Sequence, residues 1–253
     1  MDKVISRDGT PIAYARGGAG MPLIFVVGAF NDHTRCAPLA EALAGDFTVI
    51  TYDRRARGES GDTPPYAIGR EVEDLDALIE LAGGSAAVFG YSSGGVLALR
   101  AAADGLAITR LVLFEAPFTG RASDLPARLA ALVGAGRAGA AVELFQTEGV
   151  GLPAPVVARL KQSPMWPALE ALAQSTVYDA TITTELASPT PAMAAVDVPA
   201  LVLTGVGTWP VLRESAALLA KTLPQARAAE LPGAENHDIP VAATAAAIRE
   251  FLR

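Results

Sequence analysis

Ala86-Ala87-Val88-Phe89-Gly90-Tyr91-Ser92-Ser93-Gly94-Gly95-Val96-Leu97-Ala98-Leu99 is the stretch from which the rest of the chain is read. A short apolar run, long enough for a buried strand, breaks at Gly90, and an apolar segment at helical spacing follows Gly94. Strand, tight turn, helix is the setting in which Gly-x-Ser-x-Gly forms a nucleophile elbow. At so sharp a turn the serine backbone is strained. Only glycine fits two places before and after it, where strand and helix nearly touch. The turn lifts the Ser92 hydroxyl off the sheet and aims the next helix at it. Unpaired N–H groups and the positive end of a helix dipole then lie where an oxyanion would form. A chance match is the bland alternative in a chain with 24 glycines, and the flanking strand and helix weigh against it.

The 253 residues suit one α/β domain with an ample core. Apolar residues make up 51 % and charged residues 19 %, the balance of a soluble globular chain without a disordered tail. A net charge of −7 argues against nucleic acid or an anionic membrane as partner. Cys36 stands alone and can close no internal disulfide, which fits a reducing cytoplasm. Met1-Asp2-Lys3-Val4 leads straight into structure, with no signal-peptide pattern and no apolar run long enough for a bilayer. Two histidines and one cysteine argue against a zinc site, and no metal or other cofactor is expected.

In chain order, Lys3–Ser6 and Ile12–Ala15 flank the turn signal Asp8-Gly9 and predict a hairpin. Pro22–Val27 is a continuous apolar strand, as in a sheet covered on both faces. Gly28-Ala29-Phe30-Asn31-Asp32-His33 follows, then a helix to about Leu43 and a strand over Phe47–Tyr52. Asp53-Arg54-Arg55-Ala56-Arg57-Gly58-Glu59-Ser60-Gly61-Asp62 reads as a charged, glycine-punctuated loop. A helix from about Arg70 to Leu81 leads into the elbow strand. Ile108–Phe114 is a further buried strand, ending at Glu115-Ala116-Pro117. Strand signals then vanish until about Val196, and alanine-rich helical segments alternate with Pro126, Pro153, Pro155, Pro164 and Pro167. Strand and helix return with Pro199–Gly205, Val211–Leu223, Ala226–Leu231 and Val241–Leu252. The expectation is a mostly parallel, doubly wound sheet: a core of residues 1–117 and 197–253 with a helical cap, 118–196, inserted after the sixth strand.

Over essentially its whole length the chain resembles the α/β-hydrolase superfamily. The likeness is carried by Gly90-Tyr91-Ser92-Ser93-Gly94, by Asn236-His237-Asp238 near the C-terminus, and by the Asp53–Ser60 loop. That loop is similar to the family's D-x-R-G-x-G-x-S segment but departs from it with Arg55-Ala56-Arg57. The resemblance implies the α/β-hydrolase fold, while the substrate has to be argued from the site.

A serine hydroxyl needs a base within hydrogen-bond reach, and only His33 and His237 are available. The family order of nucleophile, acid and histidine favours His237, in a loop after the last strand. His33 precedes the serine and is expected at the pocket rim or as a capping residue. The family's usual acid position, after the strand Pro199–Gly205, reads Gly205-Val206-Gly207-Thr208, and threonine cannot replace a carboxylate. Asp197 precedes its strand, Glu143, Glu148, Glu170, Asp179 and Glu185 fall in the cap, and Asp238 adjoins the base. Glu115 stands at the carboxyl end of its strand, where some family members, haloalkane dehalogenases among them, carry the acid. It is the candidate to orient His237. A carboxylate that only tethers the cap, and a dyad without acid, are the alternatives. By resemblance the oxyanion hole uses the backbone N–H groups of Ser93 and Ala29. Phe30 and Tyr91 are expected to wall the substrate pocket, with Met165 and Trp166 contributed by the cap.

These residues imply a serine hydrolase cleaving a small or medium, mostly uncharged ester, thioester or lactone through an acyl-enzyme on Ser92. The same site used for acyl transfer, lactonisation or cyclisation is a second reading, and a non-catalytic ligand binder on a hydrolase scaffold is a third. Dehalogenase and epoxide-hydrolase chemistry is disfavoured, because those relatives carry aspartate at the Ser92 position. The expected partner is an apolar small molecule, for a cytoplasmic monomer or homodimer.

Overall fold

A computed structural model describes residues 1–121 and 123–253. β1 (Asp2–Ile5) and β2 (Pro11–Gly18) pair antiparallel, with Val4 opposite Ile12. The next apolar runs form β3 (Met21–Val26) and β4 (Phe47–Tyr52), joined by a 3-10 turn over His33–Cys36 and α1 (Ala37–Leu43). After α2 (Ile68–Leu81), the elbow joins β5 (Ala86–Tyr91) to α3 (Ser93–Ala103), and β6 (Ile108–Phe114) follows. Six helices come next: α4 (Leu125–Gly134), α5 (Ala138–Leu144), α6 (Ala154–Lys161), α7 (Trp166–Ala171), α8 (Ala173–Glu185) and α9 (Pro191–Ala194). β7 (Ala200–Gly207), α10 (Pro210–Thr222), β8 (Ala226–Glu235) and α11 (Val241–Leu252) complete the chain.

The eight strands lie in the order β1-β2-β4-β3-β5-β6-β7-β8, parallel from β4 onward. Alternate residues of each strand face opposite sides, which explains why the strand runs are apolar throughout. Ile24 and Val26 pack on the side of α2 and α3, while Leu23, Phe25 and Val27 pack with α1 and α11. Each such side chain stabilises the fold by roughly 1.5–3 kcal/mol through burial alone. This is the α/β-hydrolase fold. The parallel strands point their carboxyl ends at one edge, and β3, β5 and β6 deliver Gly28, Ser92 and Glu115 there. No described helix is long and apolar enough to cross a membrane.

The helices between β6 and β7 have a core of their own, in which Leu129, Val142, Phe145, Trp166 and Leu169 are buried together. Trp166 belongs to that core and does not line the central cavity. Its indole N–H donates to Glu170 Oε1 at 2.8 Å. Met165 lies one residue earlier, before α7, and is 61 % exposed on the outside. Both residues were expected at the pocket, and the start of α7 turns one inward to the helical core and the other to solvent. Trp166→Ala is therefore expected to lower the unfolding free energy by about 3 kcal/mol. It should leave acyl chain-length preference unchanged across a series of p-nitrophenyl esters. A shift towards bulkier acyl groups would return the indole to the substrate pocket.

Candidate active site

Ser92 sits at the tip of the β5–α3 turn with φ 56° and ψ −130°. This left-handed conformation costs about 1–3 kcal/mol and persists because its surroundings fix it. The Ser92 N–H donates to Phe114 O at 3.0 Å, and its carbonyl accepts from Gly95 N–H at 2.8 Å. A Cβ on Gly90 would lie 2.6 Å from Gly95 Cα, and one on Gly94 would lie 2.2 Å from Val26 O, so both positions exclude side chains. A Cβ on Gly28 would meet Ser92 Cβ at 2.6 Å, so that glycine lets the β3 loop close over the serine.

Glu115 begins the loop after β6, at φ 49° and only 1 % exposed. Its Oε2 is 2.5 Å from His237 Nδ1, and Oε1 accepts the Gly205 N–H at 2.8 Å. Burial alone would raise this carboxyl, but the bonds from His237 and Gly205 outweigh it and hold the group below the ordinary glutamate range. An ionised Glu115 accepts a hydrogen bond from Nδ1–H, which leaves Nε2 as the basic nitrogen of a neutral ring. His237 itself is at φ 70°, and Tyr91 fixes it twice. The Tyr91 hydroxyl donates to His237 O at 2.6 Å, and the two rings stack with centroids 4.8 Å apart. Arg35 lies over Tyr91 and pairs with Asp238 at 2.9 Å, bracing the same loop.

Ser92, Ser93, Ala29, Phe30, Tyr91 and His237 all line one cavity of about 690 Å³. The helical insertion contributes Leu125, Phe145 and Gln146 to its other side, and the loop after β7 contributes Trp209. Phe30 meets Phe145 edge-on at 5.3 Å, so the β3 loop and the insertion touch across the entrance to the serine. Phe145 and Gln146 lie in a π-helical turn, Phe145–Gly149. A turn of that kind has no periodic signature in an alanine-rich stretch, so sequence reasoning had no signal for either residue. Trp209 was within reach of it, as the residue following Thr208 at the carboxyl edge of β7.

His33 does not line the cavity. Its ring Nδ1 and its backbone N–H each contact Asp53 Oδ1 at 2.8 Å, and the residue instead ties the β3 loop to the end of β4. Asp32, His33 and Asp53 form a cluster of metal-ligating types among the described residues. Both Asp53 oxygens are already occupied, by His33 and by the Glu59 N–H, and Asp32 Oδ1 takes the Thr34 N–H and hydroxyl. It closes loops.

The Asp53–Asp62 loop differs most from expectation. Arg54 and Arg55 are fully buried and Arg57 is 2 % exposed. Arg54 forms a bidentate pair with Glu71 at 2.6 and 2.7 Å and reaches Asp179 at 2.8 Å. Arg57 reaches the other oxygen of Asp179 at 2.8 Å, and Arg55 pairs with Asp74 and Asp8. Buried guanidinium groups are tolerated only when paired and hydrogen-bonded in this way, because an unpaired one costs several kcal/mol. Asp179 comes from α8 in the helical insertion, and it also accepts from the Ser93 hydroxyl at 2.7 Å. Burial would raise its carboxyl, but Arg57 and Arg54 outweigh this and hold it below the ordinary aspartate range.

The model of the alpha/beta hydrolase family matches residues 23–248. Among solved structures, an alpha/beta hydrolase from Sphaerobacter thermophilus is 47 % identical, with a TM-score of 0.93 and full coverage of both chains. A thermophilic esterase from Thermogutta terrifontis is 26 % identical with a TM-score of 0.75, covering 99 % of this chain and 97 % of the other. An enol-lactonase from Burkholderia xenovorans, 22 % identical with a TM-score of 0.77 and 99 % coverage of each chain, shares the fold. A serine at the elbow, a histidine in the loop after β8 and a family model matching most of the chain, from residue 23 to 248, lead to one conclusion: the chain belongs to the alpha/beta hydrolase family.

Proposed function

We propose that this hydrolase cleaves a small or medium, mostly uncharged carboxylic ester, thioester or lactone through an acyl-enzyme on Ser92. The observation that carries the reading is the 2.5 Å contact between Glu115 and His237 Nδ1, with His237 and Ser92 opening on one cavity. His237 Nε2 takes the Ser92 proton as Oγ attacks the carbonyl carbon. The N–H groups of Ala29 and Ser93 bind the resulting oxyanion. The imidazolium, stabilised by Glu115, then protonates the leaving alcohol, thiol or ring oxygen. Water, deprotonated by the same nitrogen, releases the acid and restores the serine. Phe30, Phe145, Leu125 and Trp209 give the cavity an apolar wall suited to an uncharged acyl chain. The helical segment 118–196 acts as the cap over that chain. An esterase and an enol-lactonase among the structural relatives fit this substrate class.

The test is covalent labelling with a fluorophosphonate, read by mass spectrometry, alongside a chain-length series of p-nitrophenyl esters and lactones. One adduct per chain on the Ser92 peptide, with turnover of at least one series, is expected. A folded protein that takes no label is a ligand binder and not a hydrolase of this kind.

A further inference from the structure

Resting on that hydrolase reading, we infer that Asp179, Arg54 and Arg57 are positioning residues that set the oxyanion hole from beneath. In a planar trans peptide the C=O of one residue and the N–H of the next point in opposite directions. Arg57 Nη1 donates to Gly28 O at 2.6 Å, and Gly28 O shares its peptide with the Ala29 N–H. The guanidinium therefore holds that peptide by its oxygen and leaves the N–H facing away from it. A cation on the carbonyl oxygen also draws electron density from nitrogen, making the Ala29 N–H a stronger donor.

The rest of the loop is held from the same side. Arg54 Nη1 donates to Val27 O at 3.1 Å, and Arg57 Nη1 reaches Asn31 O at 3.1 Å. The Asn31 amide in turn bonds Ala29 O at 2.7 Å. The second donor, Ser93, is fixed through its side chain, whose hydroxyl bonds Asp179 Oδ1 at 2.7 Å. Asp179 thus connects both halves of the hole, through Arg57 on the Ala29 side and directly on the Ser93 side. Two guanidiniums and the carboxylates of Glu71 and Asp179 balance in charge, all within 2 % of full burial. Every other member lies in the first 100 residues or so, and Asp179 alone comes from the helices inserted between β6 and β7. Seating α8 therefore completes a charge network that ends on the oxyanion donors.

A purely structural network would change stability and leave the chemistry alone. The readout that separates the two is kcat against KM, together with affinity for an aryl boronic acid, which mimics the tetrahedral oxyanion. Arg57→Met is expected to lower kcat/KM for a p-nitrophenyl ester by roughly 10- to 100-fold, with KM within about twofold and boronate affinity falling in parallel. Arg57→Lys should restore part of the loss, since one ammonium can reach Gly28 O but not all three partners. If Arg57→Met does not fold, Ser93→Ala decides. It keeps the Ser93 N–H and both arginine pairs of Asp179, and removes one bond. A fall of roughly three- to tenfold in kcat/KM and in boronate affinity is expected there. Variants that fold, label at Ser92 and match wild type in kcat and boronate affinity overturn the inference alone. A wild-type protein that takes no label at Ser92 removes the hydrolase reading and this inference with it.

Discussion

Ser92→Ala is expected to lower kcat for p-nitrophenyl ester hydrolysis by about 10⁴- to 10⁶-fold, to the floor set by binding and the oxyanion donors. The protein should melt near the wild-type temperature. Alanine removes only the hydroxyl, and the backbone bonds from Ser92 to Phe114 and Gly95 remain. The same left-handed conformation is kept, with the same strain, so stability is not where the variant differs. His237→Ala should fall to a similar floor, because nucleophile and base act as one unit and their losses do not add. His33→Ala should stay within a few-fold of wild type, since its ring is spent on Asp53 and does not reach the cavity. Active-site titration with a fluorophosphonate separates true residual turnover from contaminating esterase. A folded Ser92→Ala protein with turnover near wild type removes Ser92 as the nucleophile, and a larger loss in His33→Ala than in His237→Ala reverses the base.

What the sequence made legible was whatever local period and turn chemistry decide. Continuous apolar runs such as Pro22–Val27 and Ala86–Phe89, bounded by turn residues, read as buried strands, and the glycines around Ser92 follow from backbone contact. Element ends drifted where pairing outlasted pattern. β8 continues through Pro232-Gly233 to Glu235, because Glu235 still pairs with Gly207 across a bulge. The arginines of the Asp53–Asp62 loop were illegible for a different reason. Charge in a glycine-rich loop normally faces water, and although Glu71 pairs with Arg54 from nearby in the chain, the carboxylate that Arg54 and Arg57 share, Asp179, lies more than 120 residues away. No spacing encodes that pairing. Asp179 was set aside as a cap residue for the same cause, although α8 brings it beneath Ser93. The cavity wall was half legible. Phe30 and Tyr91 adjoin glycine turns at the sheet edge, whereas Phe145 and Gln146 depend on a π-helical turn and on how the insertion docks.

Glu115→Gln is expected to lower kcat by roughly two to four orders of magnitude, by analogy with acid-to-amide changes in serine triads. Glutamine keeps the shape and removes the charge. Its amide N–H₂ facing Nδ1 would favour the ring form that carries the proton on Nε2, where it blocks the Ser92 proton. The stability profile gives a second, independent reading. The folded-state carboxyl is held below its ordinary value, so its contribution is fully present above the unfolded value of about 4.5. It is lost as pH falls through the lower folded value. Wild type and Glu115→Gln should therefore differ most in denaturant midpoint near neutral pH and converge on acidification below roughly pH 4. Thr208 offers a rescue. It is buried in the loop after β7, and its hydroxyl has no hydrogen-bond partner among the described residues. Adding Thr208→Asp to Glu115→Gln returns a carboxylate to the neighbourhood of Nδ1, and should recover part of kcat without changing KM. Near-normal turnover by Glu115→Gln leaves a serine–histidine dyad as the working site, and a loss that no carboxylate at position 208 repairs places the demand for acid specifically after β6.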